Sequence, residues 1–226
     1  MLKGLFVTLE GIEGCGKSTQ APRLARRLRK EGYHCLLTRE PGGTAIGREI
    51  RQVILSPENH RMSAETELGL YFSDRAQHLR EVVWPALAAG RIVLCDRFTD
   101  STMAYQGYGR GLSLRQIRAL DRAMTGEFRP QVTLLLDLSV EEGLARARKR
   151  NRESTSHGDE GRFEQEKLNF HRRVRAGYAK MAQKEYERYV IVPASGKARD
   201  VHEALWTALK KTRKLPRKHV VRKARR

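Results

Sequence analysis

Five apolar, β-rich runs recur along the chain: LFVTLE at 5–10, HCLLTRE at 34–40, RIVLCD at 91–96, VTLLLDL at 132–138 and YVIVP at 189–193. Continuous apolar runs of this length suit strands that are covered on both faces. Helical patterns fill the intervals, at 19–31, 45–55, 63–89, 114–125, 141–150, 162–186 and 201–210. Strand alternating with helix predicts an α/β fold, with a central parallel sheet of about five strands flanked by helices. One polar, glycine-containing loop at 151–161 joins two arginine-bearing helical stretches, and its composition allows movement.

With 226 residues the chain fits one ordinary domain. A domain of that size buries roughly 70% of its unfolded surface, so it needs no disulfide or metal staple. Cys15, Cys35 and Cys95 are far apart and lack metal-ligand spacing, so they read as free thiols of a reducing compartment. No stretch reaches the roughly 18 apolar residues of a membrane span, and the first apolar run is too short for a signal peptide. The expectation is a cytoplasmic protein with no membrane partner. The net charge of +19 has two parts. Residues 210–226 hold ten Lys or Arg and no acid; without them, residues 1–209 still carry +9. A basic body suits the handling of several phosphates, and the tail is expected to be a disordered extension.

Residues 11–18 read Gly11, Ile12, Glu13, Gly14, Cys15, Gly16, Lys17, Ser18, which matches G-x-x-x-x-G-K-[ST] at every fixed position. An expected strand precedes the motif and an expected helix, entered through Thr19, follows it. The glycines let backbone N–H groups turn inward around phosphate oxygens, and the helix start points its positive end at the same anion. These residues predict an ATP site, in which Lys17 reaches the β- and γ-phosphates and Ser18 ligates Mg²⁺. A glycine-rich strand–helix turn with a chance lysine is the weaker alternative.

Further chemistry follows the next buried strand. Asp96 and Arg97 stand just past its carboxyl end, the edge at which open α/β sheets bind ligands. Asp96 is a candidate second-shell Mg²⁺ carboxylate and Arg97 a candidate phosphate clamp. In the stretch 63–80, Tyr71 and Arg75 are i, i+4 neighbours, about 6 Å apart along a helix axis. They could hold the base and phosphate of one small nucleotide; a core aromatic beside a snorkelling arginine is the other reading of this helix taken alone. Ser101, Thr102, Tyr105 and Gln106 form a polar cluster that could read a pyrimidine edge, cap a helix ended by Gly107, or do both.

Taken together, the segments LEGIEGCGKST, TREPGGT (38–44), YFSDRAQH (71–78), GRIVLCDRF (90–98), STMAYQG (101–107) and GRFEQE (161–166) resemble the thymidylate kinases, in that family's order and over nearly the whole chain. The resemblance implies a P-loop nucleoside-monophosphate kinase fold with a mobile lid at about 146–163 on a domain of residues 1–209. It also implies ATP-dependent phosphorylation of dTMP and a homodimer. Arg51, Arg75 and Arg97 then correspond to arginines on the dTMP phosphate, Tyr71 to the ring on thymine, and Thr102 and Gln106 to the pyrimidine edge. Tyr105 corresponds to the ring under the deoxyribose, and Glu13 to an acid near the acceptor sugar and the metal. Residues 194–197 fall at the adenine loop. Two departures stand out: Phe98 where a tyrosine is common, and Gly161 where an aspartate usually precedes Arg162.

Phosphoryl transfer needs charge over the moving phosphoryl. Some family members carry a basic residue after the P-loop acid; here that position is Gly14. The charge must then come from the lid, where Arg146, Arg148, Lys149, Arg150, Arg152 and Arg162 cluster, and Arg148, Arg152 and Arg162 are the catalytic candidates beside Lys17 and Arg97. Two alternatives are another P-loop nucleoside-monophosphate kinase and a P-loop ATPase whose basic tail binds nucleic acid. The tail contains no aromatic residue to stack on bases.

Overall fold

The computed structural model describes residues 3–153, 162–163 and 166–216. The middle of the expected lid and residues 217–226 of the basic tail lie outside the described residues.

The five expected strands form one sheet: β1 (Leu5–Glu10), β2 (Cys35–Arg39), β3 (Ile92–Asp96), β4 (Val132–Asp137) and β5 (Tyr189–Pro193). They run parallel in the order β2-β3-β1-β4-β5. Every residue of β1 is buried, as its unbroken apolar run requires at the centre of a sheet covered on both sides. The order reverses direction about β1, which places the topological switch point, and so the ligand crevice, directly after it. Pairing of Leu9 with Asp96 and of Glu10 with Leu135 brings the ends of β1, β3 and β4 to one edge.

The helices are α1 (Lys17–Lys30), α2 (Ala45–Leu55), α3 (Ala64–His78), α4 (Trp84–Ala88), α5 (Thr99–Thr102), α6 (Leu114–Thr125), α7 (Val140–Glu153), α8 (Leu168–Lys184) and α9 (Ala198–Lys211). Local chemistry sets several of their ends. Thr44 and Ser63 accept N–H bonds from Gly47 and Thr66, and Gly126 closes α6 at φ 65°. The helix expected over 63–89 instead runs as α3, a π-helical segment Leu79–Val83, and α4. Pro85 has no N–H for an i→i−4 bond, and a π turn absorbs the change of register. The helix expected from 162 starts only at Leu168, because Arg162 turns aside to Glu67 and Arg110 donates to Glu166.

Ordered contacts extend past residue 209. Helix α9 continues to Lys211, and Lys214 Nζ donates to the carbonyls of Gln131 and Glu187 at 2.9 and 3.0 Å. Leu215 packs against the main core.

A smaller core lies around the other face of the sheet. There Phe6 meets Phe98 edge-on at 4.9 Å and stacks on Phe128 at 5.5 Å. Phe98 is fully buried in this aromatic group, an environment that suits phenylalanine at the position where a tyrosine was the common alternative. Replacing Phe6 with alanine removes the centre of this cluster from β1. The expected loss is about 3–5 kcal/mol of unfolding free energy, measured by urea denaturation.

Candidate functional site

A cleft of about 670 Å³ opens along the carboxyl edge of the sheet. On one side stands the P-loop. Gly16, in the left-handed region at φ 98°, caps α1 without a side-chain bond, and the first turn contains no acid. The N–H groups of that turn lack side-chain caps, and they and the helix dipole together form an anion site. Glu13, Gly14, Cys15, Gly16, Lys17, Ser18 and Thr19 border the cleft. Gly11 and Ile12 do not: the Ile12 side chain enters the core, and the Gly11 carbonyl accepts from Lys17. Lys17 Nζ lies 2.9 Å from the oxygens of both Gly11 and Ile12 and 3.4 Å from Cys15 Sγ, so its ammonium is parked on the loop's own acceptors. Ala194 and Gly196 border the same half, where the resemblance set the adenine loop.

The other half carries the expected acceptor residues. Tyr71 borders the cleft while Phe72 is fully buried in the core, as their 100° separation on α3 requires. Arg75 is 1% exposed. Its Nε donates to Glu40 Oε2 at 2.8 Å and its NH2 to Thr102 Oγ1 at 3.0 Å, while NH1 is buried without a hydrogen-bond partner among the described residues. Arg51 lies over Gly42 and donates to the Pro41 carbonyl. Gln106 donates through Nε2 to Glu67 Oε1 at 2.7 Å; the amide therefore presents its carbonyl oxygen as its remaining side-chain acceptor.

Arg97 sits between the halves at φ 72°, a conformation that costs a non-glycine residue energy and that clusters at functional sites. It donates to Ser101, Glu13, Tyr105 and the Gly11 carbonyl, and its guanidinium lies 4.9 Å from the Tyr105 ring centre. Burial opposes its charge, but Tyr105, Tyr178, Glu13 and Asp96 outweigh burial and raise its pKa further. The Ser101 hydroxyl donates to Glu10 and accepts from Arg97, so it serves the frame of the site as well as its lining. Glu13 accepts from the Tyr105 hydroxyl at 2.6 Å and faces His171 Nδ1 at 3.4 Å. Burial would raise this carboxyl, but His171, Arg97, Lys17 and Tyr105 hold it down at about 2.

The residues present are compatible with Mg²⁺. Asp96 Oδ1 is buried with no hydrogen-bond partner among the described residues, and Asp96 and Ser18 border one cleft. An unpaired carboxylate oxygen beside a phosphate site suits a hard, partly hydrated cation.

The lid arginines fall differently from expectation. Arg148 and Arg152 are exposed and do not border the cleft. Arg162 is buried away from it, donating to Glu67 and to the Ile54 carbonyl. Arg146 and Arg150 border the cleft instead, with Arg146 NH1 on the Ala194 carbonyl at 3.1 Å. Four residues apart, they share the face of α7 turned to the P-loop.

Four supporting acids and a histidine went unread in the sequence. Glu40 aims Arg75 and His78, and Glu67 holds Gln106, Arg110 and Arg162. Glu10 receives Phe98 N, Ser101 and Tyr178, while Asp74 accepts from Gly42 N; the histidine is His171. A usable signal existed for Glu67, which lies four residues before Tyr71 on the same helical face.

A phosphate-binding loop, a guanidinium-lined acceptor pocket and a carboxylate suited to Mg²⁺, all at the switch point of a five-stranded parallel sheet, define a P-loop nucleotide phosphotransferase. A family model described as thymidylate kinase matches residues 9–205. The chain is similar to curated proteins named thymidylate kinase from several bacteria. It is 49% identical to that of Desulfosudis oleivorans, over 92% of this chain and 97% of the relative. It is 52% identical to that of Desulfovibrio desulfuricans, over 87% and 91%, and 50% identical to that of Pseudomonas syringae pv. syringae, over 96% and 100%. The chain belongs to the thymidylate kinase family.

The buried acids give a pH dependence. Burial, reinforced by Asp100, raises Glu10 from 4.5 to about 7 despite bonds from Ser101 and Tyr178 and the charge of Arg97. The folded state therefore holds a proton that the unfolded chain releases above pH 4.5. That stabilisation is complete below 4.5 and is lost as pH rises through 7. Glu13 acts only below 4.5, with the opposite sign. Asp74, raised to about 6, adds a contribution of the same sign as that of Glu10. Unfolding free energies of wild type and Glu10→Gln, compared at pH 5 and pH 7.5, should show the smaller fall for the variant.

Proposed function

We propose that this protein transfers the γ-phosphoryl group of ATP directly to the 5′-phosphate of dTMP, giving dTDP and ADP. The observation that carries this reading is Arg75. A buried guanidinium whose Nε and NH2 are fixed by Glu40 and Thr102, and whose NH1 is unpaired among the described residues, is made to receive an anion. Tyr71, one turn earlier on α3, supplies a flat surface for the base of the same nucleotide. The Gln106 carbonyl oxygen suits a pyrimidine that presents a ring N–H, as thymine does and cytosine does not. Tyr105, 5% exposed and bonded to Glu13, fills the floor where a ribose 2′-hydroxyl would need room.

ATP enters on the P-loop side, with its adenine by residues 194–197. Lys17 exchanges its contacts with the Gly11 and Ile12 carbonyls for phosphate oxygens. Ser18 and, at one remove, Asp96 hold Mg²⁺, which neutralises phosphate charge when bound. Arg97, poised between the two halves, and Arg146 and Arg150, above the P-loop, supply the remaining charge. The acceptor phosphate is ionised at neutral pH, so no strong general base is needed. Closure of the lid over residues 146–163 would exclude water and suppress ATP hydrolysis.

This reading includes a homodimer, supported by Ile46 and Val53, exposed by 55% and 45% on α2. It also includes a cytoplasmic setting, supported by three free thiols. Among the described residues, no helix is long and apolar enough to cross a membrane.

A coupled ADP-release assay with dTMP, dUMP, dCMP, dAMP and dGMP tests the assignment. dTMP should give the highest kcat/KM and dCMP a far lower one; a better acceptor than dTMP would overturn the reading. The double variant Arg146→Ala/Arg150→Ala should lower kcat by about 100-fold or more, with KM for dTMP within about twofold. Unchanged kcat would remove these arginines from the mechanism.

A further inference from the structure

Backbone touches backbone between the P-loop and α7. A Cβ on Gly14 would lie 2.0 Å from the Gly143 carbonyl oxygen, and one on Gly143 would lie 2.5 Å from the Glu13 carbonyl oxygen and 3.0 Å from Ile12 Cδ1. Neither position has room for a side chain. Gly14 has a second reason to be glycine, since its φ is +69°. Gly143 has no such reason. It lies inside a helix, where glycine is unfavourable relative to alanine, and its φ is not positive. Close packing is what its identity explains.

We propose that Gly143 is a positioning residue, which seats α7 on the P-loop at the height that brings Arg146 and Arg150 to the donor phosphates. The inference rests on the role given above to those two arginines. Helix geometry supplies the link. Arg146 and Arg150 follow Gly143 by three and seven residues, so they rise about 4.5 and 10.5 Å along the axis, within about 60° and 20° of its direction. The stripe that touches the loop is the stripe that carries the cations. Arg148 and Arg152, off that stripe, do not border the cleft. The loop is also the stiffer partner, because it is anchored at both ends, by the fully buried strand β1 and by the buried face of α1. A methyl group wedged into the contact therefore lifts the helix rather than deforming the loop. The missing side chain at position 14 and the arrival of charge from the lid become two consequences of one contact.

The test is a double-mutant cycle on kcat at saturating ATP and dTMP. Gly143→Ala alone should lower kcat by about 10- to 100-fold, the effect of a displacement on the order of 1 Å at a reacting group. KM for dTMP should stay within about twofold, since Arg51, Tyr71 and Arg75 stand on α2 and α3. In the Arg146→Ala/Arg150→Ala background, the same substitution should cost less than about threefold. Equal losses in both backgrounds overturn the proposal while leaving the arginines' role intact. Loss of that role is seen separately, as unchanged kcat in the arginine double variant. A second comparison avoids the packed contact. Lys149→Arg/Arg150→Ala keeps the number of guanidinium groups at these two positions but turns one of them about 100° from the direction of Arg150. It should recover none of the activity lost in Arg150→Ala, and recovery to half of wild type would overturn the seat.

Discussion

The ion pair between Glu40 and Arg75, with side chains 2% and 1% exposed, is the interaction around which the acceptor half is organised. It joins the segment after β2 to α3, and through Thr102 it reaches α5. Glu40 also takes His78 Nδ1 at 2.8 Å, so one carboxylate fixes two successive turns of α3. Removing either partner of such a pair leaves a buried charge uncompensated, at a cost of about 3–5 kcal/mol. The pair is therefore not replaceable piecemeal, and the direction in which Arg75 presents NH1 is settled before any ligand arrives.

The same device recurs around the cleft. Glu13 stands beside Arg97, and Glu67 gathers Gln106, Arg110 and Arg162. A carboxylate beside a guanidinium reduces the positive potential that an incoming phosphate meets. What the protein gains is orientation. A long, unrestrained arginine loses about 2 kcal/mol of rotamer freedom when a ligand fixes it. Here that ordering is completed on folding, and charge aimed beforehand acts without reorganisation at the moment of transfer. The body's net charge of +9 is enough to leave the edge attractive to anions after these internal pairings.

This division explains which parts of the molecule were legible in the sequence. The strands could be read because each is covered on both faces, and the P-loop because its spacing is fixed by phosphate geometry. Tyr71 could be separated from Phe72 because α3 has a clear register against Arg75. The lid arginines offered no such anchor. In ARARKRNR, basic residues occur at almost every angle around the helix, and only the packing of Gly143 on the loop sets which of them face the cleft. The supporting acids were hidden for a related reason. Glu10, Glu40 and Glu67 come from three different elements and acquire meaning only when the fold brings cations to them. Arg162 shows the converse, since a lid position on the sequence became a wall contact through Glu67.

The two halves of the cleft also differ in how they hold charge, and the difference follows from what each must do. On the acceptor side, Arg75 sits on an element locked by a buried carboxylate, which under the proposed transfer keeps the acceptor phosphate in place while it attacks. On the donor side, Lys17 rests on backbone carbonyls, and Arg146 bonds to the Ala194 carbonyl and to partly exposed Glu142. Neutral or solvent-screened partners are given up at a smaller cost than buried ionic ones. Cations that must move onto a transferring group are therefore best parked on weak acceptors, and cations that must not move are best held by buried acids. Arg97, at the boundary, contacts both kinds: the Gly11 carbonyl toward the donor loop and Glu13 toward the acceptor. Its strained backbone fixes it between the two halves of the cleft.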